Sequence, residues 1–235
     1  MKKHIPNILT CCNLFTGCVS IVMALRGNLE VASLLIFVSA LFDFLDGFAA
    51  RMLKVKSDIG VDMDSLADVF SFGGAPAMIM FVWIERSLTN LPPYLQEMGF
   101  IQLLPYFAFI VPAFSAVRLA KFNHDDRQIT EFRGLATPAN ALFLGFLHFS
   151  SVDLPFLSNV WVLLTLTLTF SILLVSDIPM FALKFKNLKL KGNEIRYTFL
   201  LISLILLVIF KLGAFPIIIL TYILISFTTA LIHKN

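Results

Sequence analysis

Along the chain, long apolar runs alternate with short polar connections. The runs lie near residues 8 to 25, 31 to 52, 61 to 84, 100 to 120, 138 to 152, 158 to 176, 196 to 211 and 213 to 232. Most approach the ~20 residues that carry an α-helix across the hydrocarbon core of a bilayer. The pattern predicts an all-α fold, a polytopic transmembrane bundle of about eight helices. The fifth run is short and the connection at Lys211 to Gly213 is tight, so the number falls to six or seven if one run is re-entrant. No segment shows the period-two alternation of a membrane β-barrel. Without an internal repeat, low-complexity tract or soluble linker, residues 1–235 read as a single integral membrane domain. The most polar connection, Ala182 to Arg196, reads as a loop lying on the membrane surface.

Composition agrees with the pattern. The chain is 58% hydrophobic and 14% charged with a mean hydropathy of +0.88, against about 25% charged residues in a soluble domain. Of the 18 Lys and Arg residues, only Arg26, Arg86 and Lys211 fall on one side of the predicted bundle, and the other fifteen share the opposite side with both termini. The positive-inside rule makes the crowded face cytoplasmic. Its basic loops suit anionic lipid head groups, and no nucleic-acid partner is expected. The basic start and apolar run of "MKKHIPNILTCCNLFTGCVSIVMAL" imitate a signal peptide. The run is long and ends in no small-x-small cleavage site, so it reads as a retained first helix. Cys11, Cys12 and Cys18 lie in that run and read as small apolar residues without a redox role.

Polar chemistry concentrates at Asp43 to Asp68, "DFLDGFAARMLKVKSDIGVDMDSLAD", which holds six of the 15 acidic residues. Asp43, Asp46, Gly47 and Ala50 are spaced to form one stripe on a helix, and Asp64 and Asp68 form a second. A short loop makes the two helices antiparallel neighbours, so the stripes can face each other. Four carboxylates converging at membrane depth repel and are costly to desolvate. Bound cations relieve both, and an all-oxygen donor set without His or Cys suits Mg²⁺ or Mn²⁺, with room for two ions bridged by a shared carboxylate. Gly47, Ala50 and Gly60 remove bulk beside the acids, which lets a ligand approach the backbone, although small residues also serve helix packing. Asp58 and Asp62 read as loop and helix-start residues outside the site.

These residues complete the pattern Asp-x2-Asp-Gly-x2-Ala-Arg-x8-Gly-x3-Asp-x3-Asp at Asp43, Asp46, Gly47, Ala50, Arg51, Gly60, Asp64 and Asp68, and so the chain resembles the CDP-alcohol phosphotransferases. The resemblance implies a six-helix core, a homodimer, and a site open to the cytoplasm where an alcohol displaces CMP from a CDP-linked lipid. It implies that Asp43, Asp46, Asp64 and Asp68 hold divalent metals and that Asp68 also takes the proton of the attacking hydroxyl. Pro6, Asn7 and Thr10 in "IPNILT" look like the family's nucleotide-side residues, and Arg51 is placed to hold a phosphate oxygen.

The acceptor is read from other segments. "VFSFGGAPA" (69–77), "RLAKFN" (118–123) and "FRGLATPANA" (132–141) resemble the phosphatidylserine synthase branch of that family, with Lys121 and Ala136 departing from its usual Arg and Pro. The implied substrates are CDP-diacylglycerol and L-serine, with Arg118, Lys121, Ser71 and Asn123 as the residues toward the acceptor or lipid phosphate. Two alternatives stay open: the same transfer to another acceptor such as glycerol 3-phosphate, and cation transport by the intramembrane acids. The motifs occupy residues 5–141. Residues 142–235 read as additional helices facing lipid, a partner copy, or both. The implied location is the cytoplasmic (inner) membrane.

Overall fold

In the computed structural model the residues described are 4–55, 58–124, 132–181, 190 and 192–232. Most of the Ala182 to Arg196 connection and several of the basic residues assigned to the crowded face, among them Lys2, Lys56, Arg127 and Lys184, lie outside them. Helix α1 spans His4–Leu25 and α2 spans Leu29–Leu53. A continuous rod follows, made of α3 (Asp58–Asp68), one wide π turn (Val69–Gly74) and α4 (Ala75–Leu88). After the single turn α5 (Pro93–Gln96), a 3₁₀ segment (Ile101–Phe109) leads into α6 (Ile110–His124). Helices α7 (Thr137–Ser150), α8 (Val160–Val175), α9 (Glu194–Phe210) and α10 (Ala214–Ile232) complete the bundle. The two-residue strands β1 (Phe132–Arg133) and β2 (Pro179–Met180) pair antiparallel, Phe132 with Met180.

The eight predicted runs therefore all become helix, but not uniform helix. Among the described residues, five stretches are long and apolar enough to cross a bilayer: His4–Leu25, Leu29–Leu53, Asp58–Leu88, Ile101–His124 and Glu194–Ala230. The last covers 37 residues, about 56 Å if straight against a core of about 30 Å. It breaks at Lys211, whose φ of 50° turns the chain so that α9 packs back on α10. Helices α7 and α8 are shorter than the runs predicted at 138–152 and 158–176. Pro155 opens a 3₁₀ turn between them, and Asn159 caps α8 by accepting from the Trp161 N–H.

The rod at Asp58–Leu88 is the shaft of the bundle. Within its apolar window 72% of residues are buried, against 17% for α9 and α10, and its Phe72, Ile79, Met80 and Ile84 lie in the core with Ile36, Phe143 and Leu144. Without a hydrophobic drive between helices in lipid, close packing and interhelical hydrogen bonds must hold them together. The α1–α2 pair follows this rule. Ser20 donates to the Ala32 carbonyl at 2.7 Å, the Thr16 and Ser39 hydroxyls meet at 2.6 Å, and Ser33 donates to the Gly145 carbonyl of α7. Gly27, at φ +80°, closes the α1–α2 turn with its N–H on Ala24 O and the Asn28 N–H on Met23 O, the Schellman pattern that satisfies the last carbonyls of a helix.

Candidate metal and nucleotide site

The acidic residues come from two helix ends. Helix α2 runs unbroken past Asp43 and Asp46 to Leu53, where Lys54 takes a left-handed conformation (φ 53°) and the Lys54 and Val55 N–H groups bond back to Arg51 and Ala50. This stop turns the chain into α3, which brings Asp64 and Asp68 back beside α2. Asp58 sits in the first turn of α3 and, like Asp62, is exposed. Both stay out of the cluster, as expected for loop and helix-start residues.

Asp43, Asp64 and Asp68 each contribute a carboxylate oxygen to a group lying within 4.8 Å of one another. Asp64 Oδ1 is shielded from solvent and has no hydrogen-bond partner. Asp46 is turned to α1, accepting from Thr10 Oγ1 at 2.7 Å, while still within electrostatic reach of Asp43 and Asp64. Three converging carboxylate oxygens, one of them buried without a donor, form an oxygen-only set that a hard divalent cation satisfies and that hydrogen bonds alone leave unmatched.

Beside the acids lies a cavity of about 150 Å³ lined by Pro6, Asn7, Thr10, Asp46, Gly47, Ala50, Gly60 and Asp64. The residues expected on the nucleotide side thus share one wall with two of the acids. A Cβ at Gly47 would meet only the Arg51 guanidinium, at 3.5 Å, and no atom of a neighbouring helix. The space that the glycine's missing side chain leaves borders the cavity.

Helix α1 also brings a residue that sequence reasoning missed. Asn13 is fully buried and its Nδ2 donates to Asp68 Oδ1 at 3.2 Å. Its backbone carbonyl accepts from Ser71 Oγ at 2.9 Å. The signal was present: Pro6, Thr10 and Asn13 fall on the buried face of α1, and an amide on that face of an apolar helix calls for a partner.

The acceptor-side residues separate. Arg118 is 5% exposed, donates from Nε to the Leu135 carbonyl at 3.0 Å and interacts electrostatically with Asp68. The loop that holds it is fixed by Gly134 (φ +72°), where a Cβ would stand 2.7 Å from the Leu174 carbonyl. Asn123 is exposed but reaches α3, donating to Ser65 Oγ at 2.8 Å. Lys121 is exposed and turns to the Val175 carbonyl at 3.4 Å. Ser71 is fully buried in the contact between α1 and the π turn, with its hydroxyl on Asn13.

The sequence is similar to proteins named CDP-diacylglycerol--serine O-phosphatidyltransferase in several organisms. It is 33% identical to that of Bacillus subtilis over 148 residues, 63% of this chain and 77% of the relative. The Helicobacter pylori protein is 32% identical over 141 residues, 59% of this chain and 54% of the relative. For Mycobacterium bovis the values are 32% over 185 residues, 75% of this chain and 60% of the relative. The chain thus spans little more than half the length of some of these relatives. The family match runs further than any recognisable motif, through residues 3–232, well past Ala141. With its acids, pocket and helices inside that match, the chain belongs to the CDP-alcohol phosphatidyltransferase family.

Proposed function

We infer that this protein transfers the phosphatidyl group of CDP-diacylglycerol to the hydroxyl of L-serine, releasing CMP and phosphatidylserine. It does so with Mg²⁺ or Mn²⁺, two ions in the full site, as a homodimer whose acidic face opens to the cytoplasm at the inner membrane. The observation that carries the reading is the shared name of relatives at about a third identity, read with the convergence of Asp43, Asp64 and Asp68 beside a pocket that Asp46 also lines.

Asp43, Asp46, Asp64 and Asp68 hold the ions, and the ions supply charge neutralisation of the diphosphate and of the CMP leaving group. Pro6, Asn7, Thr10, Gly47, Ala50 and Gly60 form the wall for the nucleotide and its phosphates, with Arg51 on a phosphate oxygen. The serine oxygen forms a bond to the phosphatidyl phosphorus, the P–O bond to CMP breaks, and Asp68 receives the hydroxyl proton. Asn13 fixes the Asp68 carboxylate by its hydrogen bond. Arg118, in electrostatic contact with Asp68, and Asn123, bonded to Ser65 of α3, orient the acceptor or the lipid phosphate. Lys121 adds charge at the rim, and Ser71 acts through the α1 contact it makes.

The test is an acceptor panel. Purified protein with CDP-diacylglycerol, Mn²⁺ or Mg²⁺ and labelled serine is expected to release CMP and give labelled phosphatidylserine. CMP release with glycerol 3-phosphate and none with serine would move the assignment to another acceptor.

A further inference from the structure

A second polar pocket lies at the other end of the bundle. About 440 Å³ in volume, it is lined by Arg26, Asn28 and Glu30 at the α1–α2 turn, Arg86 at the end of α4, and His148 at the end of α7. Along α1 it stands about 24 Å from Thr10, at the opposite membrane face from the acids. It holds two of the three basic residues on that face, a deliberate-looking concentration in so apolar a chain.

Its charge favours a singly charged anion. Arg26 and Arg86 outweigh Glu30 by one, and the N-terminus of α2, capped by Asn28 on the Val31 N–H, adds the positive end of a 25-residue helix. Arg86 is already placed, its Nη2 donating to the Gly27 carbonyl at 2.8 Å, which holds α4 to the turn. The Arg26 side chain makes no hydrogen bond or ion pair to any described residue. Behind them His148 turns its ring edge-on to Trp83, with centroids 6.2 Å apart, and its nitrogens make no well-formed hydrogen bond. One helical turn beyond the pocket residues Arg26 and Glu30, Val22 on α1 and Leu34 on α2 are exposed, as are their neighbours Leu25 and Val31. A cationic cup at the head of two helices that expose aliphatic side chains one turn deeper matches a head group whose acyl chains continue along those helices. A free anion would have no use for that apolar flank.

We propose that this pocket binds the phosphodiester of an anionic glycerophospholipid in the leaflet opposite the acidic site, through Arg26, Arg86 and the N-terminus of α2. The site is separate from the one that holds the CDP-linked substrate, and its assignment does not depend on which alcohol the protein uses.

Trp83 reports on the pocket once the other tryptophan is removed by Trp161→Phe. Full-length protein of that background in a neutral detergent is titrated with dioleoylphosphatidylglycerol, dioleoylphosphatidylcholine or inorganic phosphate while Trp83 emission is followed. The expected result is a saturable change with phosphatidylglycerol alone, its half-saturation raised about fivefold by Arg26→Gln and restored by Arg26→Lys. Arg26 is chosen because Arg86→Gln would also free the turn. A change of equal size with phosphatidylcholine, no saturable change with phosphatidylglycerol, an unaltered titration in Arg26→Gln, or saturation by inorganic phosphate without competition from the lipid would each overturn the proposal.

Discussion

At the scale of single residues, the acids set up a conflict between function and stability that can be measured. Two carboxylates about 5 Å apart repel by about 3 kcal/mol at an effective dielectric of 20, and Asp43, Asp64 and Asp68 lie that close. Asp43→Asn and Asp68→Asn remove charge where charge is costly, so each variant is expected to insert and, in chelator, to melt at or above the wild-type temperature. Turnover should nevertheless fall by about 10²–10³-fold or more, the order lost when charge stabilisation of a transition state is removed. Divalent metal should raise the wild-type Tm by preferential binding to the folded state and raise that of Asp43→Asn much less. A variant that melts low in chelator, or one that keeps near-normal turnover, contradicts the metal assignment. These acids were legible because a helix repeats its faces every three or four residues. For Asn13 the helical face showed only that a buried amide needs a partner; which partner was not legible, since the contact is with Asp68, 55 residues away.

Helices and turns show why hydropathy finds elements without describing them. The apolar runs located every long helix, because they report which segments prefer lipid to water. They carry no information on the turn geometry inside a run. The π turn at Val69–Gly74 ends in two glycines, Gly73 and Gly74, just ahead of Ala75 and Pro76, which lacks an N–H, and the Ala75 N–H bonds five residues back to Phe70. This wide turn lets Ser71 reach α1 at Gly17, where a Cβ would lie only 2.7 Å from the Ser71 Cα. Two helical glycines thus have opposite jobs. Gly17→Ala is expected to cost about 1–3 kcal/mol by overpacking and to lower Tm by about 2–4 °C for each kcal/mol. Gly47→Ala meets nothing closer than Arg51 at 3.5 Å. It should leave Tm unchanged or slightly raised, as alanine is the better helix former, while raising the KM for the CDP-lipid. Thermal melts of both variants beside their kinetics check the contrast; equal destabilisation would refute it.

Over the whole molecule, the division of basic residues read from the chain has a spatial counterpart. Arg26 and Arg86 share one pocket with His148, and the α9–α10 turn at Lys211 reaches the same end of α7, where Ser150 donates to the Gly213 carbonyl at 3.2 Å. The three basic residues that the hydropathy pattern set apart therefore gather at one end, opposite the acids. By the positive-inside rule the acidic end is predicted to face the cytoplasm. If α7 and α8, the two short helices, form a buried pair without fully crossing, the number of crossings falls from eight to six, and both termini still lie on the acidic side. A fluorescent protein that folds only in the cytoplasm, fused after Asn235, is expected to light up. A single cysteine introduced at Arg26 of a chain with Cys11, Cys12 and Cys18 replaced by Ala should react with a membrane-impermeant maleimide added outside intact cells. A dark fusion together with an unlabelled residue 26 would invert the molecule in the membrane, and the acidic pocket could then no longer draw on cytoplasmic nucleotide-linked lipid.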